Sequence, residues 1–211
     1  MNPLLEPLDD WFEGYRVNTD FRIGIQLSEA LEDVDLSEEE RVMVTINLLY
    51  GEEDYTGKLV LREYPRDIET IQQTCEWLLS GWNTDNLSGT KSKVPVFDYD
   101  VDGWRIYADF RRYYGVNLNT IDTLHFWEFS AMLWNLPQDS ATKEVIEIRG
   151  KETNSKMSAE QRKAIKKAQK IYGLKRKERK ELTNEQIDKI DDFDKLQAER
   201  KKRRELRDKG D

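Results

Sequence analysis

A chain of 211 residues in which 37% are hydrophobic and 34 Lys+Arg face 42 Asp+Glu has room for one buried core and an appendage. A single cysteine, Cys75, excludes an internal disulfide, and no run of about 18 apolar residues offers a membrane-spanning helix. Charge divides the chain: residues 1–150 carry 13 Lys+Arg and 29 Asp+Glu, net −16, whereas residues 151–211 carry 21 and 13, net +8.

Met1 leads into Asn2, Pro3 and several acids, not a basic segment followed by an apolar one, so the chain reads as a soluble cytosolic protein with no membrane partner. Pro3 and Pro7 argue against an initial helix, yet Leu4, Leu5, Leu8, Trp11 and Phe12 are apolar enough to pack on the domain or to reach a partner. The first predicted helix carries Phe21, Ile23, Ile25, Leu27, Ala30 and Leu31, with Thr19 or Asp20 as cap and an end near Asp33. Gly24 inside it reads as a weak point of about 1 kcal/mol relative to Ala. Ser37 followed by Glu40 is a capping box, so a second helix starts there; Val42, Met43, Ile46, Leu49 and Tyr50 supply its buried face and Gly51 closes it. Residues 52–64 read as a loop, because Leu59-Val60-Leu61 taken as a strand has no evident partner. After Pro65 an amphipathic helix with Ile68, Ile71, Thr74, Cys75, Leu78 and Leu79 runs to Gly81, and residues 82–96 read as an exposed linker.

Residues 97–150 form the predicted core. Asp98, Asp100 and Asp102 stand at a helix entrance, where carboxylates cap free N–H groups. Ile106, Tyr107, Phe110, Tyr113 and Tyr114 then share one face as far as Gly115. A second core helix is predicted from Asp122 to Trp134, with Leu124, Trp127, Ala131 and Trp134 as its stripe and Phe126, Phe129 and Leu133 widening it. Beyond Pro137, Asp139 or Ser140 caps a third helix carrying Val145, Ile146 and Ile148. In the basic segment, Ser158 starts a Lys-rich helix with Ala159, Ala164, Ile165, Ala168, Ile171 and Tyr172, ending at Gly173. Thr183 with Gln186 marks another cap, before a narrow seam of Ile187, Ile190, Phe193 and Leu196. That seam is the candidate partner-binding site of a tail too polar to form its own core.

Several features of the core, taken together, point to a family. They are the acidic run before Trp104, Ile106-Tyr107 with Phe110, Tyr114-Gly115-Val116-Asn117-Leu118, Leu124-His125-Phe126-Trp127 with Phe129, and Ile148-Arg149, preceded by Asn18-Thr19-Asp20-Phe21-Arg22. This combination resembles the bacteriophage tail-protein family named for a fifteenth gene product, found in long-tailed phages of Gram-positive hosts and in their prophages. The resemblance spans roughly residues 15–150. It implies a tail assembly chaperone, related to the second half of a frameshifted pair, that coats the tape-measure protein and recruits tail-tube subunits. Its expected partners are therefore the tape-measure protein, the tail-tube protein and a companion chaperone, and a homo-oligomer is compatible with the family picture. The expected place is the host cytoplasm, with no copy in the mature virion.

Asp98, Asp100, Asp102 and Asp109 have the spacing of a calcium loop, but Pro95 and Arg105 spoil it and helix capping is the better reading. His125, the only histidine, sits among Leu124 and Phe126 without zinc-ligand companions and reads as structural, with Glu128 near enough to pair. Cys75 reads as a packing residue. Gly51 and Gly57-Lys58 are one residue too far apart for a phosphate loop, and Leu59 stands where a Ser or Thr is needed. No catalytic, cofactor-binding or metal residue is assigned, and the chain is expected not to be an enzyme. The rival reading is a nucleic-acid-binding regulator using Lys166-Lys167, Lys175-Arg176-Lys177 with Arg179-Lys180, and Arg200-Lys201-Lys202-Arg203-Arg204, although the many acids between them weigh against it. The predicted architecture is all-α: about six helices in an acidic domain, residues 1–150, followed by a basic, conditionally helical tail, residues 151–211.

Overall fold

The computed structural model describes residues 2–80, 96–155 and 157–174. The chain begins with a two-residue hairpin, β1 (Trp11–Phe12) and β2 (Tyr15–Arg16), turned by Glu13 and Gly14, which both have positive φ. Phe12 packs on Trp77 with ring centroids 5.3 Å apart, so part of the apolar N-terminal stretch belongs to the domain while Leu4 and Leu5 stay exposed. Among the described residues six α-helices follow up to residue 150: α1 (Phe21–Glu32), α2 (Glu38–Tyr50), α3 (Ile68–Ser80), α4 (Tyr99–Asp109), α5 (Phe126–Trp134) and α6 (Ala141–Gly150). A seventh, α7 (Ala159–Tyr172), starts at a Ser158–Gln161 capping box. Among the described residues no helix is long and apolar enough to cross a membrane.

The fold is mainly helical but not purely so. Residues 51–53, read as helix end and loop, form β3 (Gly51–Glu53) and pair antiparallel with β4 (Leu59–Leu61), Glu52 opposite Val60. The missing partner of Leu59-Val60-Leu61 was the chain just after Tyr50, turned back by Gly57 at φ +77°. Asn18 stabilises that junction by donating to the carbonyls of Leu48 and Gly51, each at 2.8 Å.

Helix α5 is the centre. Phe129 is fully buried and stacks on Phe21 at 5.1 Å and Phe110 at 5.2 Å, while Trp127 meets Trp77 edge-on at 4.9 Å and donates from Nε1 to the Leu78 carbonyl at 2.9 Å. The sequence predicts this helix from Asp122, but it begins at Phe126. Asp20 and His125, the residues just before α1 and α5, instead pair as an antiparallel bridge: Phe21 N–H donates to the Leu124 carbonyl, and Phe126 N–H donates to that of Thr19 at 2.7 Å. Those cross-chain bonds use the amide and carbonyl groups that another helical turn would need. Arg22 holds the returning chain, donating to the Leu118 and Ile121 carbonyls at 3.2 and 2.8 Å. Each member of Asn18-Thr19-Asp20-Phe21-Arg22 thus has a structural task, Asp20 capping α1 through the Arg22 amide.

Burial differs from prediction on several helices: Leu31 on α1, Ile68 on α3 and Ile171 on α7 are exposed. On α2, Thr45, Leu49 and Tyr50 are buried whereas Met43 is exposed; Tyr50 donates to Thr74 Oγ1 at 3.0 Å, which a stripe count cannot foresee. On α5, Trp134 lies at the rim instead of in the stripe. The predicted linker lies outside the described residues except Val96, as does Gly81.

Candidate partner-binding surface

Helix α4 places charge inside and apolar groups outside. Its buried residues are Asp102, Ile106 and Asp109, while Val101 is exposed and Trp104 retains 80% of its accessible area. Trp104 lies two residues, about 200°, from Ile106 around the helix, so the stripe that buries Ile106 and Phe110 turns Trp104 outward.

Each buried carboxylate has partners. Asp102 accepts from Arg149 at 2.5 and 3.0 Å in a two-point pair and from Arg105 at 2.9 Å. The same Arg149 guanidinium donates to the Tyr172 carbonyl at 2.6 Å and the Val96 carbonyl at 3.2 Å, tying α4, α6, α7 and the chain entering α4 together. Gln169 adds a bond from α7 to the Lys151 carbonyl at 2.8 Å. Asp109 accepts from the amides of Ala141 at 3.3 Å and Thr142 at 2.8 Å and so caps α6 alongside Ser140, whose side chain accepts from Lys143.

The four aspartates with calcium-loop spacing therefore do other work. Asp98 caps α4 through the Val101 amide, residues 99–109 are helical, and Asp100 lies at the surface. Among the described residues no group of three or more His, Cys, Asp or Glu is placed to hold a metal ion. His125 caps α5: its Nδ1 accepts from the Trp127 amide at 3.0 Å, which leaves the neutral ring's proton on Nε2, 3.3 Å from the Asp9 carbonyl. Its partners are thus Trp127 and Asp9, not Glu128, and burial holds its pKa below the ordinary value against the pull of Asp9, Asp10 and Glu128. Cys75 is buried, and burial pushes its thiol up to about 11, so it stays protonated at neutral pH. Ile187, Ile190, Phe193 and Leu196 lie outside the described residues.

Helix α4 faces α1 across a cleft of about 340 Å³ whose walls include Phe21 and Ile25 from α1 and Tyr99, Gly103 and Ile106 from α4, with Phe129 among its lining residues. A second hollow of about 330 Å³ shares Tyr99, Asp100 and Gly103 and runs to Trp104 and Tyr107. Gly103 joins the two, and a Cβ there would meet no atom within 4 Å. The charged lining residues are Arg22, Glu29 and Asp100. Arg22 is bonded to Asp20 and to two carbonyls. Burial pushes the Tyr99 hydroxyl up to about 12, and the fields of Glu29 and Glu32 add to that shift.

A family model described as "Bacteriophage Gp15 protein" matches residues 9–174. The chain belongs to the bacteriophage Gp15 family. Comparison with curated proteins and with solved structures found no match to either. The Gp15 span takes in every described element from β1 to α7, extending past the residues 15–150 whose motifs carried the resemblance. Trp104, Gly103 and Arg149 were not assigned as site residues from sequence. A signal existed for Trp104, which falls off the Ile106–Phe110 stripe.

Proposed function

We propose that this chain is a non-enzymatic tail assembly chaperone of a long-tailed phage. It shields the tape-measure protein, recruits tail-tube subunits, acts with a companion chaperone in the host cytoplasm, and is left out of the mature virion. Membership of the Gp15 family across residues 9–174 carries the reading. It is supported by an apolar surface on α4 open to a partner, Val101 and Trp104 beside a cleft. A tape-measure protein is long, helical and aggregation-prone until the tube encloses it. A surface that covers part of its apolar seam and yields to polymerising tube subunits meets that need.

The test is affinity capture of the tagged full-length chain from phage-infected cells, with partners identified by mass. Tape-measure and tail-tube proteins should co-purify, and purified virions should lack the chain. A second reading, a nucleic-acid-binding regulator, has one observation in its favour: Arg162, Lys163, Lys166, Lys167 and Lys170 are all exposed on α7. Nuclease-sensitive capture of unrelated proteins, without tape-measure protein, would replace the chaperone reading with that one.

A further inference from the structure

We infer that the outward face of α7 docks on a second copy of this chain, with Ile171 entering the groove between α2 and α3 and the neighbouring Lys and Arg residues meeting the acids at its α1–α2 end. The inference does not rest on the chaperone reading.

Helix α7 is held from one side. Gln169 donates to the Lys151 carbonyl at 2.8 Å, Arg149 donates to the Tyr172 carbonyl at 2.6 Å, and the Arg105 guanidinium lies 5.9 Å from the centre of the Tyr172 ring. Ile165, Ala168 and Gln169 are half-buried, and no α7 residue is fully buried. At about 100° per residue, Arg162, Lys163, Lys166, Lys167 and Lys170 share an arc of about 140° that the half-buried residues lie outside. All five are exposed, and among the described residues no ion pair engages them. Lys163, Lys167 and Ile171 follow at four-residue steps, so Ile171, 67% exposed, ends one row of this basic face.

A groove of about 370 Å³ on the same chain has the complementary character. Leu31 from α1, Glu38 and Val42 from α2, and Ile68 and Ile71 from α3 line it, and Leu31 and Ile68 are exposed. Residues 32–41 at its end carry six acids, Glu32, Asp33, Asp35, Glu38, Glu39 and Glu40, against Arg41, net −5. Arg41 is turned onto the carbonyls of Ala30, Asp33 and Leu36, and among the described residues no ion pair engages Asp35, Glu38 or Glu39. An aliphatic hollow with an acidic margin matches an aliphatic side chain ending a basic row.

Charge favours a second copy over a polyanion. Helix α7 has five cations and Glu160, net +4, but residues 1–150 have net −16 and the whole chain −8, which repels nucleic acid as the body approaches. The surface that suits a basic helix on such a body is acidic protein, and this chain supplies one. Because α7 is held on its own α6 and α4, the helix seated in one copy's groove belongs to another copy.

The experiment is analytical sedimentation of the full-length chain over a concentration series at about 50 mM and about 500 mM NaCl, between which the screening length shortens about threefold. The wild type should self-associate, at least about tenfold more weakly in the higher salt. Lys163→Glu with Lys167→Glu, and Glu38→Lys with Glu39→Lys, should each weaken association at least about tenfold, because like charges then face each other. An equimolar mixture of these two variants sets opposite charges across the contact again and should associate. Ile171→Ser should weaken association about tenfold. All these side chains are exposed and the Ser37–Glu40 capping box is kept, so circular dichroism should match the wild type; the two α7 variants decide the matter should the α2 variant fold poorly. A monomer at every concentration, association undiminished in any folded variant, or two folded reversal variants that stay apart when mixed would overturn the inference. So would salt-sensitive binding of duplex DNA by a monomeric wild type, which would make the face a phosphate site.

Discussion

The two faces of α4 invert the usual order. Its inner face buries Asp102 and Asp109 with Ile106, and its outer face shows Val101 and Trp104 to solvent. The hidden carboxylates are matched bond for bond, by Arg149 and Arg105 on one and by the α6 amides on the other. The exposed Trp104 meets Tyr107 edge-on, ring centroids 5.9 Å apart, and keeps 80% of its accessible area. Buried charge on this helix is therefore architecture, and exposed apolar surface is where a partner is to be sought.

The largest expected effect breaks the inner face. Arg149→Ala leaves Asp102 buried without its two-point partner and should lower stability by about 3–5 kcal/mol in urea denaturation. A change below about 1 kcal/mol would mean that Arg105 and water suffice for Asp102 and that α7 is not secured through this pair. Next comes the contrast between the two helical glycines. Gly24→Ala drives a methyl into the Phe126 ring and should cost about 1–3 kcal/mol, because a packed core yields little. Gly103→Ala, with open space above it, should stabilise by about 0.5–1 kcal/mol from helix propensity alone. Equal signs in thermal melts of the two variants would erase the distinction between filled and open face.

A smaller effect tests whether polar groups under the core are structural. The His125 pKa is held below its ordinary 6.5 in the fold, so the unfolded chain takes up the proton first. The contribution of this group is complete above about 6.5 and is lost as pH falls below that value. His125→Asn keeps an N-cap and removes the titration, so it should flatten the fall in melting temperature between neutral and mildly acidic pH. An unchanged slope would assign the acid sensitivity to other groups. Smallest of all, Trp104→Ser should shift stability by no more than about 0.5 kcal/mol, as expected of a solvent-exposed side chain. A larger loss would place Trp104 in the architecture and remove the chief reason for reading the outer face as a binding surface.

Local chemistry was legible in the sequence. Ser37 and Ser158 cap helices as their neighbours predict, Asp20 and Ser140 are each one of the two caps that the sequence offers, Gly115 takes the left-handed conformation that stops the segment after α4, and six α-helices occur up to residue 150 among the described residues. Each depends on bonds spanning a few residues, and residue type within that distance decides them. Tertiary structure alone settled the rest. Asp122 to His125 left the predicted helix because residues 19–21, about a hundred positions away, took up the backbone of residues 124–126. Asp102 could be read as a cap but not as the partner of Arg149, which is 47 residues distant and looks in sequence like a surface residue ending a helix. Gly24 and Gly103 look alike as interior helix glycines; only the packing put Phe126 against one and left the other bare. Periodicity names the residues that share a face of a helix, but whether that face is covered depends on where distant parts of the chain are brought together, and a local pattern carries no record of that.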